Sequence, residues 1–151
     1  MNTLDPLKEQ YIFFFAAMRK TVSSFSDDTW IQGFGHLQYP WKLALHALDC
    51  IDYRFQNLER WSDYQNSIGK GWWEFSESES LSQTVVLDFV SEVERKVMDR
   101  FETPGWFNEL STFEPHEFNI ETAIYILGHA WHHHGSMATL AVKQGHTSQW
   151  K

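Results

Sequence analysis

The run H-A-W-H-H-H-G, His129 to Gly135, concentrates four imidazoles within six residues. His129 and His133 are four residues apart, which on a helix sets both rings on one face, one turn above the other. A third histidine, His46, lies far upstream in the strongly helical stretch W-K-L-A-L-H-A-L-D-C. Imidazole is a good ligand for zinc, nickel, copper or iron(II), and three such rings from two helices leave a divalent ion an open position for a substrate. A site that only stabilises structure usually recruits a fourth side chain.

Helical geometry places these rings. Taking His129 as zero, His133 lies about 40° away, and Ile126, Leu140, Tyr125 and Met137 lie within about 80°. The face is apolar above and below the pair, so both rings are expected to point inward. Leu43, Cys50 and Tyr53 flank His46 in the same way. An unpartnered polar group in a core costs about 1–3 kcal/mol, and a shared metal would satisfy one nitrogen of each ring. The alternative is three core histidines bonded to tyrosine or backbone. His132, about 60° from His129 on the other side, makes a His129/His132 pair geometrically possible. His134, about 140° away, is expected to face solvent or a neighbouring helix. Cys50 is read as a small core residue, with thiolate ligand or reactive thiol as the sharper alternatives. Asp49 is read as surface charge rather than an acceptor behind a ligand. His36, His116 and His146 read as solvated.

Four helical segments must carry these residues. The first opens at Asp5-Pro6, a cap and a proline suited to the first helical position. Its stripe is Leu4, Leu7, Tyr11, Phe14, Phe15, Met18, Val22 and Phe25. The second is expected from Pro40 or Trp41 towards Trp61, with Leu43, His46, Ala47, Cys50, Tyr53 and Leu58 inside. The third is announced by S-L-S-Q, Ser80 to Gln83, which fits a capping box. Its stripe runs from Val86 to Phe101, and Pro104-Gly105 stops it. The fourth begins between Pro115 and Asn119 and is expected to end near Gly145. Strand signals are poor throughout. The expectation is all-α: one four-helix bundle domain over residues 1–151. The long connection from Ser62 to Glu79, with Gly69, Gly71 and Trp72-Trp73, can cross the bundle or form a lid.

At 151 residues, 42% hydrophobic and 21% charged, the balance is that of a globular chain. Aromatics at 17%, with eight Trp and twelve Phe, suggest a bulky core, a stacked pocket or an apolar interface. A formal net charge of −8 argues against nucleic acid, whose phosphates need a basic footprint. The single cysteine, Cys50, allows no internal disulfide and suits a reducing cytosol. The stretch Y-I-F-F-F-A-A-M is too short and too flanked by charge to span a membrane, and it lacks the basic start and the small-residue cleavage site of a leader. A cytoplasmic location is expected, with no membrane and no nucleic-acid partner.

Other chemistries lack their residues. A zincin needs Glu after the first histidine, where Ala130 stands. There is no G-x-S-x-G and no phosphate-binding glycine loop, and the inward E-x-x-H pairs of a di-iron protein are missing from the fourth helix.

The chain resembles the DinB/YfiT-like superfamily of metalloenzymes. The likeness rests on Trp41, His46, Asp49 and Tyr53 in the second helix and on His129, His133, Gly135 and Gly145 in the fourth. It implies a four-helix bundle of up-down-down-up order, commonly a homodimer, with a divalent metal, often zinc or nickel, on His46, His129 and His133. Zinc is the first choice, with nickel or iron as alternatives. Several members of that superfamily are transferases or isomerases that use a low-molecular-weight thiol, so a thiol or another small-molecule substrate is implied. The residue after the last ligand is often Arg there; here it is His134. Tyr53, Asp49 and His132 are conceivable acid–base groups. Three readings stand: a metal-dependent enzyme of the thiol-transferase type, a metal-binding stress or regulatory protein without turnover, and a metal-free helical interaction protein.

Overall fold

Proline at the start of a helix, serine at a cap and an asparagine in left-handed backbone mark out most of the elements. A computed structural model of the chain describes residues 2–33 and 39–143. Among these the secondary structure is helical, apart from one isolated bridge between Leu110 and Phe118. Four α-helices are long: α1 (Asp5–Ser24), α3 (Pro40–Gln56), α4 (Gln83–Phe101) and α5 (Asn119–Lys143). A four-residue helix, α2 (Asp27–Trp30), follows α1, and single 3₁₀ turns sit at Trp61–Asp63, Trp72–Glu74 and Trp106–Asn108. The expected end near Gly145 and the readings of His36 and His146 fall outside the described residues. No helix among the described residues is long and apolar enough to cross a membrane.

Helix α3 packs mainly on α5 and α4, and α1 packs on α4 and α5, so each long helix has two principal neighbours. One apolar cluster joins all four. In α4 the buried stripe is Val86, Phe89, Val90, Val93 and Val97. Valine is a poor helix former, by roughly half a kcal/mol relative to alanine. Burying it returns about 1.5–3 kcal/mol, so packing overrides propensity here. Tyr11 is fully buried, and its hydroxyl donates to the Ala123 carbonyl at 2.6 Å, which ties α1 to α5.

The helix ends differ from expectation in ways that explain the packing. Asp5 is the first helical residue and Leu4 occupies the cap position without a side-chain bond; the Asp5 carboxylate accepts from the Asn2 N–H instead. Ser82, not Ser80, caps α4 by accepting from Val85 N. Gln83 therefore closes no capping box. Its amide donates to the carbonyls of Val22 and Phe25, both at 2.8 Å, satisfying acceptors that the end of α1 would otherwise leave open.

The histidine-bearing helix α3 stops at Gln56, short of Trp61. Asn57 adopts φ 58° and ψ 47°, a left-handed conformation that asparagine tolerates better than most residues. Its N–H donates to the Arg54 carbonyl, and its side-chain oxygen accepts from both the N–H and the hydroxyl of Thr112 at 3.0 Å. One residue thus ends α3 and anchors the segment that leads into α5. Asn57→Ala is expected to lower stability by about 1–2 kcal/mol, since it removes the side-chain acceptor of Thr112 N–H and strains the backbone, while the Thr112 hydroxyl keeps the Asn57 carbonyl as its acceptor. Asn57→Gly, which relieves the strain alone, should cost less. Urea unfolding of the three proteins tests the order.

Candidate metal centre

His46 comes from the second turn of α3, and His129 and His133 from consecutive turns of α5. Close packing of these two helices brings the rings together. The Nε2 atom of His129 lies 3.2 Å from Nε2 of His46 and 3.1 Å from Nε2 of His133. One nitrogen from each ring lies within 4.8 Å of the other two. All three residues are partly buried, not sealed in the core as the apolar face suggested. His46 and His129 stand at the wall of a cleft.

A neutral imidazole nitrogen carries either one proton or one lone pair. The central His129 nitrogen can therefore make a good hydrogen bond with one neighbour and not with the other. Protonating the rings does not relieve this, because burial opposes it. Burial, helped by the nearby His129, pushes the His46 pKa down to about 4. Burial, with His46, His129 and His132, takes His133 down to about 3. His129 is also lowered, by burial first and then by His132 and Arg54. Three uncharged nitrogens facing one another are a lone-pair set suited to a cation. Ligands about 2.0–2.1 Å from a tetrahedral zinc stand roughly 3.3–3.4 Å apart, close to the spacings observed here.

A cavity of about 140 Å³ opens beside the cluster. One wall is the His46–Cys50–Arg54 edge of α3, the other is Tyr125, Ile126 and His129 of α5, and Trp61 closes one side. Tyr125, expected on the apolar face, is 62% exposed. It forms the outer wall, its ring nearly parallel to that of His129 at 21° and 6.4 Å. The Cys50 sulfur is 3.8 Å from His46 Nδ1, and burial pushes its thiol up to about 12, so it sits there as a thiol. That matches its reading as a small core residue.

Asp49 requires a correction. It is 0% exposed, not surface charge. Oδ1 accepts from Tyr64 Oη at 2.7 Å and Asn66 Nδ2 at 2.8 Å, and Oδ2 accepts from Trp72 N at 2.8 Å. These donors lie 15, 17 and 23 residues downstream, in a connection whose path the helical pattern does not specify. They make burial of a carboxylate tolerable. The Tyr64 hydroxyl also reaches Asp52 at 3.0 Å, and Lys96 pairs with Asp52 at 3.0 Å. Pinning Trp72 N sets its indole edge-on against His46, with centroids 4.3 Å apart. The long connection therefore packs onto the site.

The remaining histidines separate cleanly. His132 is exposed and stays outside the cluster, and His116 is exposed. His134 is 1% exposed, so of its two expected placements the neighbouring helix is the one found. Its Nε2 lies 2.8 Å from Thr21 Oγ1 of α1. Tyr53 is buried and stacked on Trp61 at 3.9 Å and 10°, behind the cavity wall that Trp61 forms and not itself part of the lining. Tyr64, Asn66 and Arg54 went unread in the sequence, and Trp72 was read only as part of the long connection. Only Arg54 carried a signal there, its place two turns beyond His46 on the same side of the helix.

Protein-family models, curated proteins and solved structures contain no match to this chain. Fold and site together define an all-helical protein with a three-histidine cluster close enough to hold a metal ion.

Burial raises the Asp49 carboxyl from its ordinary 3.8 to about 6, against the pull of its three donors. A carboxyl with a raised folded pKa contributes stability that is fully present below pH 3.8 and is lost as the pH rises through about 6. Asp49→Asn removes this contribution and turns one acceptor into a donor facing other donors, at a cost of about 1–3 kcal/mol. The destabilisation relative to wild type should be larger at pH 4 than at pH 7, measured by urea midpoints. A difference that grows with pH would mean that the three hydrogen bonds outweigh burial.

Proposed function

We propose that the chain is a DinB/YfiT-like four-helix bundle, up-down-down-up in order, that holds a divalent metal on His46, His129 and His133. In this reading it uses the metal in a thiol-dependent transfer or a related reaction on a small molecule. The observation that carries the proposal is the His129 nitrogen, which stands within 3.2 Å of two other imidazole nitrogens and can satisfy only one of them by a hydrogen bond. Zinc is the first candidate, with nickel and iron(II) as alternatives. When bound, such an ion supplies a Lewis acid that activates a water or a thiolate.

The chain's own residues define the surroundings. Trp72 covers one edge of His46, and Trp61 and Ile126 keep the cavity wall apolar. Arg54 places a positive charge beside His129. The resemblance also makes the protein a homodimer, and the exposed Phe13 and Ile124 are apolar surface that such a contact would cover. A second reading, metal binding without turnover, is favoured by one feature: the described cavity lining contains no carboxylate to move a proton.

Elemental analysis after reconstitution with zinc, nickel or iron(II) and exhaustive dialysis is expected to give about one ion per chain. His46→Ala and His129→Ala should each weaken retention by more than the roughly 10–100-fold typical of losing a supporting residue. His132→Ala should leave it unchanged. Wild-type protein that retains none of the three ions would remove the proposal in favour of a metal-free helical protein.

A further inference from the structure

Arg54 projects from α3 into the cavity that His46 and His129 also line. The face of its guanidinium lies over the Phe113 ring, with Cζ 3.7 Å from the centroid. Such stacking occupies the flat face of the group and leaves the N–H edges free to donate. Nη1 is shielded from solvent and has no hydrogen-bond partner among the described residues, so the remaining N–H groups are the ones a ligand in the cavity can reach.

The other arginines are all engaged. Arg19 pairs with Glu94, Arg60 with Asp63 and Arg95 with Asp99, while Arg100 donates to the Phe55 carbonyl. In a chain with 20 acidic residues and 12 basic ones, carboxylates for pairing are plentiful. Glu114 is the charge that acts most strongly on Arg54, yet it makes no ion pair with it. A cation held by its face at the wall of a cleft, with no ion pair of its own among the described residues, is arranged to receive an anion from outside.

We infer that this cavity binds a small organic acid, its carboxylate received by Arg54 and its apolar body lying between Trp61, Tyr125 and Ile126. The far end of the acid then points towards His46 and His129, an orientation that rests on the metal-centre reading above. The size of the site limits the ligand. About 140 Å³ is well below the roughly 300–1,000 Å³ of pockets that hold drug-sized molecules, so the part of a ligand held inside is small. A single guanidinium with apolar walls suits one negative charge on a hydrophobic body, and its planar fork matches the two oxygens of a carboxylate. A multiply charged anion would be left undercompensated in a chain of net charge −8.

Calorimetric titration of the full chain, zinc-loaded and metal-free, with phenylacetate, phenylacetamide and inorganic phosphate tests this. Phenylacetate is expected to bind wild type about tenfold or more tightly than the amide, the scale of a charge-assisted contact, and more tightly than phosphate. Arg54→Gln should bring the acid down to the level of the amide with zinc content unchanged. Arg54→Lys, which keeps the charge and loses the fork, should fall between. If Arg54→Gln proves unfolded by circular dichroism, the lysine variant decides: a severalfold drop supports the site and no drop overturns it.

Equal binding of acid and amide by wild type, phosphate binding as tight as phenylacetate, or undiminished acid binding in Arg54→Gln would each overturn the inference. The two proposals fail separately. Acid binding that depends on Arg54 in a protein retaining no metal keeps the anion site and removes the metal centre. Acid binding that depends on zinc but not on Arg54 does the reverse.

Discussion

A carboxylate buried without donors would cost several kcal/mol, and the arrangement around Asp49 follows from meeting that cost. Its two oxygens take three donors, one from each of Tyr64, Asn66 and Trp72, all in the connection between α3 and α4. That connection has almost no regular structure, yet these bonds fix where it crosses α3. Gly69, at φ 85°, donates its N–H to the Asn66 side chain, so the turn that presents the Asn66 amide is itself held. Trp72 then has one place to go, against His46. A charge one turn from a candidate ligand thus orders the wall of the candidate site.

The histidine cluster poses a different problem, of donors and lone pairs. Burial keeps the rings uncharged, and uncharged nitrogens about 3 Å apart compete for too few protons. His134 shows the contrast. It is more deeply buried than the three clustered rings, and it sits opposite a hydroxyl, which can donate or accept as the ring requires. Two histidines five positions apart on one helix, 129 and 134, therefore have opposite characters: one stands in a set that suits a cation, the other is an ordinary core contact between α1 and α5.

The aromatic residues divide along similar lines. Tyr11, Phe14 and Phe15 fill the core between helices. Tyr53, Trp61, Tyr64 and Trp73 form a connected group of rings around the long connection, next to the cavity. Phe13, at 61% exposure, and Tyr125 stay at the surface. Core, pocket wall and exposed apolar surface each take a share, which is why composition alone could not choose among them.

Residue order by itself settled the helical character, the approximate starts of the long helices and the shared side of His129 and His133, because those depend on contacts three and four positions apart. Stripes such as Val86 to Val97 were readable for the same reason. Tertiary structure alone decided that His46 meets the other two, across 83 residues of chain, since nothing in a helical period specifies which neighbour a face will find. It alone buried Asp49, because its donors come from an irregular segment with no period to read. It turned Tyr125 outward, ended α3 at Asn57 through a left-handed residue bonded to Thr112, and sent Gln83 to the end of α1 instead of to its own cap. In each case the deciding partner is distant in sequence, and local spacing carries no information about it.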